Sequence, residues 1–361
     1  MNIIFLFLFG FILSFLLTPL TRRFCLKFGF LDEPQRRKIH KKPLPRLGGI
    51  AVIISFMAAL SYAMFFYRDF YELFSPRFSG VLIALILLII LGLWDDIKGI
   101  RPLIKLSGQM VVALVLFYHG FRIELLTNPF NGQEVQIPFL LSMFFSVFWV
   151  LGMINAINLI DGIDGLAPGM VFISAASLLF VGLYLKTLVS VTILSILCGS
   201  TLGFLYYNFP PAKIFLGDTG SMFLGFILAV TGLAGLQHKI VTAAALIIPI
   251  CALAIPISDV FLAIYRRLIR KGSIFIADKK HLHHRLLDIG LTQRQIVSAL
   301  YMAAAYFGII AFLFVLIPNQ YALLLLLLLG IGIYLAVRAI GFIERRTATL
   351  RRYRKIASRQ Y

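Results

Sequence analysis

Residues 81–96 read VLIALILLIILGLWDD, a continuous apolar run that ends directly at two aspartates. Residues 321–337, YALLLLLLLGIGIYLAV, have the same uninterrupted apolar character. A helix needs roughly 20 mostly apolar residues to cross the hydrocarbon core of a bilayer, whereas strands of a membrane β-barrel alternate apolar and polar residues. These runs therefore indicate transmembrane helices.

The composition of the whole chain supports a membrane protein. Of its 361 residues, 60% are hydrophobic and only 14% are charged, compared with about 25% charged residues in typical soluble domains. Cys25, Cys198 and Cys251 are scattered along the sequence, so they predict neither a metal site nor a redox pair. We predict an all-α polytopic membrane protein with one integral membrane domain over residues 1–361.

Apolar runs of suitable length predict eleven transmembrane helices. The first is retained rather than cleaved, because no small-residue cleavage site precedes Arg22 and Arg23. Between the fourth and fifth spans, Asn131-Gly132 within residues 122–137 predicts a small β-hairpin on the outer side. The spans lie near residues 1–20, 47–67, 79–94, 103–121, 138–157, 167–185, 188–207, 219–236, 240–265, 295–317 and 320–341.

The net charge of +19 would suit nucleic-acid binding, but its distribution indicates topology instead. Eleven spans divide the loops into two alternating sets, and 29 of the 34 Lys and Arg residues fall in one set. By the positive-inside rule, this set faces the cytoplasm. It includes a basic, histidine-containing loop at 266–294 and a basic tail at 342–361, which places the C-terminus in the cytoplasm.

Carboxylates cluster at the inner ends of the predicted spans. Asp95-Asp96, Asp161 with Asp164, and Asp218 belong to three separate loops on that side. A single aspartate there would be read as a helix cap or a solvated helix end. A carboxylate within a bilayer costs about 3 kcal/mol on insertion scales, so three such loops together predict a wet cleft holding a divalent cation, with Mg²⁺ favoured by oxygen ligands.

The polar residues of 155–165, NAINLIDGIDG, recur every three positions. Asn155, Asn158, Asp161 and Asp164 would therefore lie on one side of a helical segment. This density of polar groups between apolar helices indicates a site rather than a solvated surface. Asp218, in the segment FLGDTGS at 215–221, opens a helix whose free N–H groups can face a phosphate.

Basic residues on the same side predict a polyanionic ligand. Lys98 and Lys105 follow the aspartate pair, Lys41 and Lys42 lie in a basic first loop that also contains Arg46, and the loop at 266–294 contains HLHHR. Anionic lipid head groups or topology alone also explain juxtamembrane arginines, so that alternative stays open. Carboxylates, lysines and histidines together favour Mg²⁺-dependent phosphoryl transfer on a diphosphate, in which catalysis is mostly positioning and charge neutralisation.

These motifs, in this order, resemble those of the polyprenyl-phosphate N-acetylhexosamine-1-phosphate transferase superfamily, glycosyltransferase family 4. Its members start the synthesis of peptidoglycan, teichoic acid, lipopolysaccharide O-antigen and N-glycan precursors. The resemblance covers nearly the whole chain. It is carried by DEPQRRKIH at 32–40, PRLGG at 45–49, DDIK at 95–98, residues 155–165, FLGDTG at 215–220 and HLHH at 281–284.

The resemblance implies transfer of a sugar phosphate from a UDP-sugar to undecaprenyl phosphate in the bacterial inner membrane, with UMP released. The histidine motif and residues 36–40 resemble the branch that transfers GlcNAc-1-phosphate. The peptidoglycan branch, which transfers MurNAc-pentapeptide-1-phosphate, has three consecutive histidines and ranks second. Two other classes remain as alternatives: a secondary transporter, whose acidic residues would lie near the bilayer midplane, and a non-catalytic scaffold. Whether the chain forms a homodimer is left open by the sequence.

The resemblance also implies roles for individual residues. Asp218 is the expected ligand of Mg²⁺, with Mn²⁺ as an alternative, and Asp95, Asp96, Asn158 and Asp161 are the expected catalytic residues. Asp164 is expected to contact the nucleoside, and Phe215 to stack on uracil. The other expected substrate-binding residues are Lys41, Lys42, Lys98, Lys105, Asn155, His281, His283, His284 and Arg285.

Overall fold

The computed structural model of the chain describes residues 2–33, 43–127, 134–235, 286–288, 290–317, 324–325, 327–335 and 338. Its principal elements are helices connected by short loops. They are α1 (Ile3–Phe28), β1 (Leu31–Asp32), β2 (Leu44–Pro45), α2 (Gly49–Phe66), α3 (Arg68–Lys98), α4 (Pro102–Tyr118), β3 (Leu125–Thr127), β4 (Glu134–Gln136), α5 (Phe139–Ile160), α6 (Leu166–Tyr184), α7 (Leu188–Asn208), α8 (Gly217–Gly235) and α9 (Gln293–Leu316).

The polytopic helical fold is confirmed. Within the described residues, eight helices are long and apolar enough to cross a membrane, and α4 is a shorter apolar helix. These nine helices correspond one for one to predicted spans. The predicted span 240–265 lies outside the described residues, and so does part of 320–341, of which residues 324–325, 327–335 and 338 are described.

Helix α3 begins at Arg68, well before the predicted start at residue 79. The segment 68–77, which contains Pro76 and several charged residues, lies between two predicted spans, but the helix continues through it. An ion pair between Arg68 Nε and Glu72 Oε1, 2.8 Å apart at i,i+4 spacing, stabilises this first part. At 1.5 Å per residue the 31-residue helix is about 46 Å long, so it extends beyond the hydrocarbon core.

The hairpin predicted between α4 and α5 is present. Strands β3 and β4 pair antiparallel, with Leu125 opposite Gln136. A second strand pair was not predicted: β1 and β2 place Leu31 opposite Pro45 and Asp32 opposite Leu44. Strands of two residues are too short to show a periodic pattern. This second pair brings together the chain on both sides of residues 34–42.

Helix α8 forms the centre of the bundle. It packs against α2, α3, α5, α6 and α7, and its apolar side chains from Met222 to Leu233 are almost completely buried. The approach of α2 is close, because a Cβ added at Gly49 would lie 2.2 Å from Gly220 Cα. Glycine at position 49 therefore lets the first turn of α2 rest on the first turn of α8.

Helices α1 to α8 run alternately in opposite directions, so the loops that connect them fall at two ends of the bundle. Helices α3 and α5 end, and α4 and α8 begin, at one end, which we call the acidic end because Asp95, Asp96, Asp161 and Asp218 lie there. The β3–β4 hairpin lies at the opposite end. The loops that connect α1 to α8 therefore group as the charge distribution along the sequence predicted.

Candidate active site

The acidic end is assembled by backbone hydrogen bonds between residues 45–49 and the start of α8. Phe215 N donates to Pro45 O at 2.8 Å, Gly48 N donates to Phe215 O at 2.9 Å, and Gly49 N donates to Leu216 O at 2.8 Å. This strand-like pairing is continuous with β2. It fixes the backbone on both sides of Arg46 and places that residue beside the N-terminus of α8.

Asp218 lies at the centre of a network of charged and amide side chains. Its Oδ1 accepts hydrogen bonds from Lys105 Nζ at 2.5 Å and from Asn158 Nδ2 at 2.8 Å. Its Oδ2 accepts one from Arg46 Nη2 at 3.2 Å. Lys105 Nζ also lies 2.7 Å from Asp95 Oδ2. The ends of α3, α4, α5 and α8 thus meet around one carboxylate.

Asp96 caps the N-terminus of α8 from a neighbouring helix. Its Oδ1 accepts from Asp218 N at 2.8 Å and from Arg46 Nε at 3.1 Å. Its Oδ2 accepts from Thr219 N at 2.9 Å and Thr219 Oγ1 at 2.6 Å. The side chain has no exposed surface. The N-terminus of a helix has free N–H groups and favours a nearby negative charge. The Asp96 carboxylate accepts hydrogen bonds from two of these N–H groups and supplies the negative charge.

Gly217 makes this close contact sterically allowed. Its φ of 78° lies in the left-handed region, and an added Cβ would lie 2.4 Å from Arg46 O and 2.9 Å from Asp96 Oδ2. Any larger residue would therefore separate Asp96 from the helix that it caps.

Asp161 follows the last residue of α5, and its environment differs from that of Asp96. Within the described residues, its half-buried carboxyl group makes no hydrogen bond or ion pair. Burial, together with the nearby carboxylates of Asp218, Asp96 and Asp164, raises the pKa of Asp161 well above its ordinary value. Asp161 is therefore close enough to Asp218 and Asp96 for their negative charges to repel one another.

The pKa of the Arg46 guanidinium also shifts. Burial acts to lower this pKa, but the carboxylates of Asp96 and Asp218 outweigh burial and raise it. In the sequence, Arg46 was recognised as one member of a basic loop predicted to contact phosphate, and it was assigned no role of its own. Its neighbours Pro45 and Gly48-Gly49, which the structure places against α8, were the available signal.

The loop after α5 is attached to two other elements. Asp164 Oδ2 accepts from Ala212 N at 2.9 Å, and Asn208 Oδ1 accepts from Gly165 N at 2.9 Å. Tyr301, on α9, donates its hydroxyl hydrogen to Gly165 O. Asn208 and Tyr301 were not predicted as site residues. Asn208 directly follows a predicted span, Tyr301 lies within one, and neither has a neighbouring motif.

A second polar layer lies one turn deeper in the bundle. Asn155 Nδ2 donates to Gln109 Oε1 at 2.7 Å, and Gln109 Nε2 contacts Met222 Sδ at 3.3 Å. Gln109 is fully buried and was also missed in the sequence. It lies four residues after Lys105 on α4, so both side chains lie on one face of that helix.

The structure brings together most, but not all, of the predicted site residues. Asp95, Asp96, Lys105, Asn158 and Asp218 form one connected network. Asp161 and Asp164 lie beside that network, Asn155 lies below it, and Phe215 is half-buried immediately before α8.

The other predicted residues lie apart from this network or outside the described residues. Lys98 is exposed and makes no hydrogen bond or ion pair with the described residues. The predicted positions outside the described residues are Lys41, Lys42, His281, His283, His284 and Arg285.

The donor set is compatible with magnesium bound through one or two carboxylates. No group of three or more His, Cys, Asp or Glu side chains in metal-binding proximity occurs in the described part of the chain, so a cage built only from protein ligands is absent there. Mg²⁺ usually keeps several waters and binds one or two carboxylates together with substrate phosphates. Asp218 and the unpaired Asp161 carboxyl group fit that pattern.

Comparison with known proteins identifies the family. Residues 78–236 match the model described as "Glycosyl transferase family 4". A probable undecaprenyl-phosphate N-acetylglucosaminyl 1-phosphate transferase of Bacillus subtilis is 35% identical over 296 residues, which is 82% of this chain and 80% of the relative.

Two further relatives, both undecaprenyl-phosphate alpha-N-acetylglucosaminyl 1-phosphate transferases, match to a similar extent. The protein of Thermotoga maritima is 32% identical over 273 residues, covering 76% of this chain and 78% of the relative. The protein of Salmonella typhi is 32% identical over 360 residues, covering 93% of this chain and 92% of the relative. With such identity over most of its length, the chain belongs to glycosyl transferase family 4.

Proposed function

We propose that this protein transfers GlcNAc-1-phosphate from UDP-GlcNAc to undecaprenyl phosphate, producing undecaprenyl-diphosphate-GlcNAc and UMP. The observation that carries the proposal is the Asp218 network, in which one carboxylate lies between two cations, Lys105 and Arg46, at the end of a membrane helix bundle. Such a network suits a diphosphate ligand. The names of the relatives from Bacillus subtilis, Thermotoga maritima and Salmonella typhi support the choice of sugar and lipid.

In the proposed reaction, an oxygen of the lipid phosphate attacks the sugar-bearing phosphorus of the donor, and UMP leaves. A phosphate monoester has its second pKa near 6, so the acceptor is already mostly a dianion at neutral pH. No strong general base is needed. Asp95 is paired with Lys105 Nζ and accepts from Ile100 N at 3.0 Å, which suits a role in orienting Lys105.

Asp218, with Asp161 beside it, would hold Mg²⁺, which when bound supplies positive charge to the diphosphate oxygens. Lys105 and Arg46 occupy the oxygens of Asp218 in this structure. In the substrate complex their donors would turn towards phosphate oxygens. Asn158 donates to Asp218 and to Ser221 Oγ, each at 2.8 Å, and so keeps Asp218 oriented.

We further propose that the acidic end faces the cytoplasm of a bacterial cell. The supporting observation is that 29 of the 34 Lys and Arg residues lie in sequence segments assigned to that side. UDP-sugars are made in the cytoplasm, so this orientation gives the site access to its donor.

The test is transfer of label from UDP-GlcNAc into organic extract by the purified full-length protein, with undecaprenyl phosphate and Mg²⁺. Asp218→Asn should lower the rate by about 10²- to 10³-fold, as expected for loss of a transition-state electrostatic contact. Asp69→Asn is the matched control, because Asp69 is an exposed carboxylate in the first turn of α3, at the opposite end of the bundle.

Three other outcomes would replace the proposal. Uptake of intact UDP-GlcNAc into vesicles without lipid product would indicate a transporter. Turnover of UDP-MurNAc-pentapeptide in place of UDP-GlcNAc would indicate the peptidoglycan branch. Equal rates for Asp218→Asn and the wild type would remove the Asp218 network from the reaction.

A further inference from the structure

We propose that Arg46 binds the diphosphate of the nucleotide donor and that Asp96 is a positioning residue, which holds this guanidinium and the start of α8 in place. This inference rests on the proposed function and deepens it. It concerns a residue that precedes the segment matching the family model, residues 78–236.

The backbone of Arg46 is held from two directions. Arg46 N donates to Phe30 O at 3.2 Å, which ties it to the chain just before β1. The flanking residues Pro45 and Gly48 are hydrogen-bonded to Phe215. The arginine therefore projects from a backbone segment that is fixed on both sides, in a loop that the sequence predicted to be ordered.

The guanidinium is anchored on one edge and reaches the cleft on the other. Nε donates to the fully buried Asp96, and Nη2 donates to Asp218, while the side chain is 31% exposed. Arginine has N–H donors in a planar fork that matches phosphate oxygens. Because the anchoring contact uses Nε, the outer edge of the fork is directed towards Asp218.

Lys105 and Arg46 contact different oxygens of Asp218. Lys105 Nζ contacts Oδ1, and Arg46 Nη2 contacts Oδ2. A ligand that reaches Asp218, with or without a metal ion, therefore meets one cation on each side. A diphosphate has enough oxygens to accept from both cations, whereas an uncharged nucleoside gains nothing from them.

Asp96 has no capacity left for a substrate. Its two oxygens accept from four donors on Arg46, Asp218 and Thr219, and its side chain is fully buried. Substitution of Asp96 would therefore affect the reaction through Arg46 and α8. Asp96, expected from the sequence to be catalytic, is assigned a positioning role by this geometry.

The experiment measures dissociation constants of UDP and uridine for the full-length protein in lipid nanodiscs, in EDTA and in Mg²⁺. The variants are Arg46→Gln, Arg46→Lys and Asp96→Asn, with the double variant of Arg46→Gln and Asp96→Asn. Arg101→Gln is the control, because Arg101 is an exposed cation that immediately precedes α4 and whose side chain makes no hydrogen bond or ion pair with the described residues.

Arg46→Gln should weaken UDP binding about 10- to 100-fold, the range for a lost charge-assisted hydrogen bond, in EDTA as well as in Mg²⁺. Uridine binding should stay unchanged. Arg46→Lys keeps the charge but loses the fork, so UDP binding should be intermediate. Asp96→Asn should weaken UDP binding in the same direction, and the double variant should bind little worse than Arg46→Gln, because the second change acts through the first residue.

Equal weakening of UDP and uridine in both Arg46 variants, or failure of both to yield folded protein, would make Arg46 structural and overturn the inference. Unchanged UDP binding would also overturn it. If the wild type itself binds no UDP, the proposed function fails as well, and the two failures are thereby distinguished.

Discussion

Asp96 and Asp161 each follow a long apolar run and lie at the same end of the bundle, yet their surroundings are opposite. Asp96 accepts from four donors and has no exposed surface. Asp161 makes no hydrogen bond or ion pair within the described residues and is surrounded by other carboxylates. The sequence offers no means of distinguishing the two, since both lie where an apolar run ends.

This difference distinguishes a carboxylate that holds parts of the fold together, Asp96, from one that is available to a ligand, Asp161. A saturated, buried carboxylate fixes the elements that it connects, and it has nothing left to offer a substrate. An unpaired carboxyl group near other negative charges raises the free energy of the ligand-free protein. Such a group is expected at a position where a cation binds during function, because the cation removes the repulsion.

The largest expected effect tests the Asp161 half of this comparison. Asp161→Asn should lower the transfer rate about 10²- to 10³-fold through loss of an electrostatic contact, yet it should stabilise the metal-free protein. The pKa of Asp161 is raised in the folded state, so the unfolded chain releases this proton first. The free energy of unfolding of the wild type therefore falls as the pH rises above about 4, and asparagine removes that loss.

Thermal unfolding in EDTA at pH 5 and pH 8 provides the measurement. The melting temperature of Asp161→Asn should exceed that of the wild type, and by a larger margin at pH 8. Added Mg²⁺ should stabilise the wild type more than the variant. A variant that is less stable than the wild type at both pH values would show that Asp161 has a structural partner.

The second prediction concerns Asp96, where substitution should destabilise the protein instead of stabilising it. Asp96→Asn should lower the free energy of unfolding by about 1–2 kcal/mol, the range for a lost N-cap, because the new NH₂ group would face N–H donors at the start of α8. Denaturant titration in detergent checks this value, with Asp69→Asn as the control at the start of α3. Stability equal to that of the wild type would mean that α8 needs no cap from α3.

The smallest expected effect concerns the loop between Asp161 and Gly165. Tyr301→Phe removes only the hydroxyl that donates to Gly165 O. The KM for UDP-GlcNAc should rise about 3- to 10-fold, in line with one neutral hydrogen bond, while kcat changes little. Steady-state kinetics at saturating lipid acceptor measure both constants.

Tyr306→Phe is the matched control for that measurement. Tyr306 lies on the same helix, and its hydroxyl donates to Leu328 O at 2.9 Å, away from the acidic end. Its KM should stay at the wild-type value. An equal rise in both variants would indicate a general effect of α9 rather than placement of the loop.

Much of the fold follows from the sequence, because lipid-exposed helices need continuous apolar runs and their ends are marked by charge. The helical segment that precedes residue 79 in α3 was not predicted, because Pro76 and the charged residues near it are untypical of a transmembrane span. In the structure an i,i+4 ion pair stabilises the helix there, beyond the hydrocarbon core. The β1–β2 pair depends on contacts between residues far apart in sequence.

The site was partly predictable as well, because charged residues at the ends of apolar spans are visible in the sequence. Asp95, Asp161 and Asp218 stood out as carboxylates at span ends, and the structure places their three segments together. Which carboxylate has all of its oxygens hydrogen-bonded depends on how α3 packs against α8. The order of residues in the sequence does not contain that information. Gln109 and Tyr301 lie in apolar helices, so their polar groups carried no recognisable motif.

The hydroxyl of Tyr301 on Gly165 has a consequence for comparisons across the family. Residues 78–236 match the family model, but Arg46, which contacts Asp218, lies before that segment, and Tyr301, which contacts Gly165, lies well after it. A protein trimmed to the matched segment would keep Asp218 and Asp161 but lose two of their supports. Comparisons of these enzymes therefore need residues 43–49 and 290–301 as well as the matched segment.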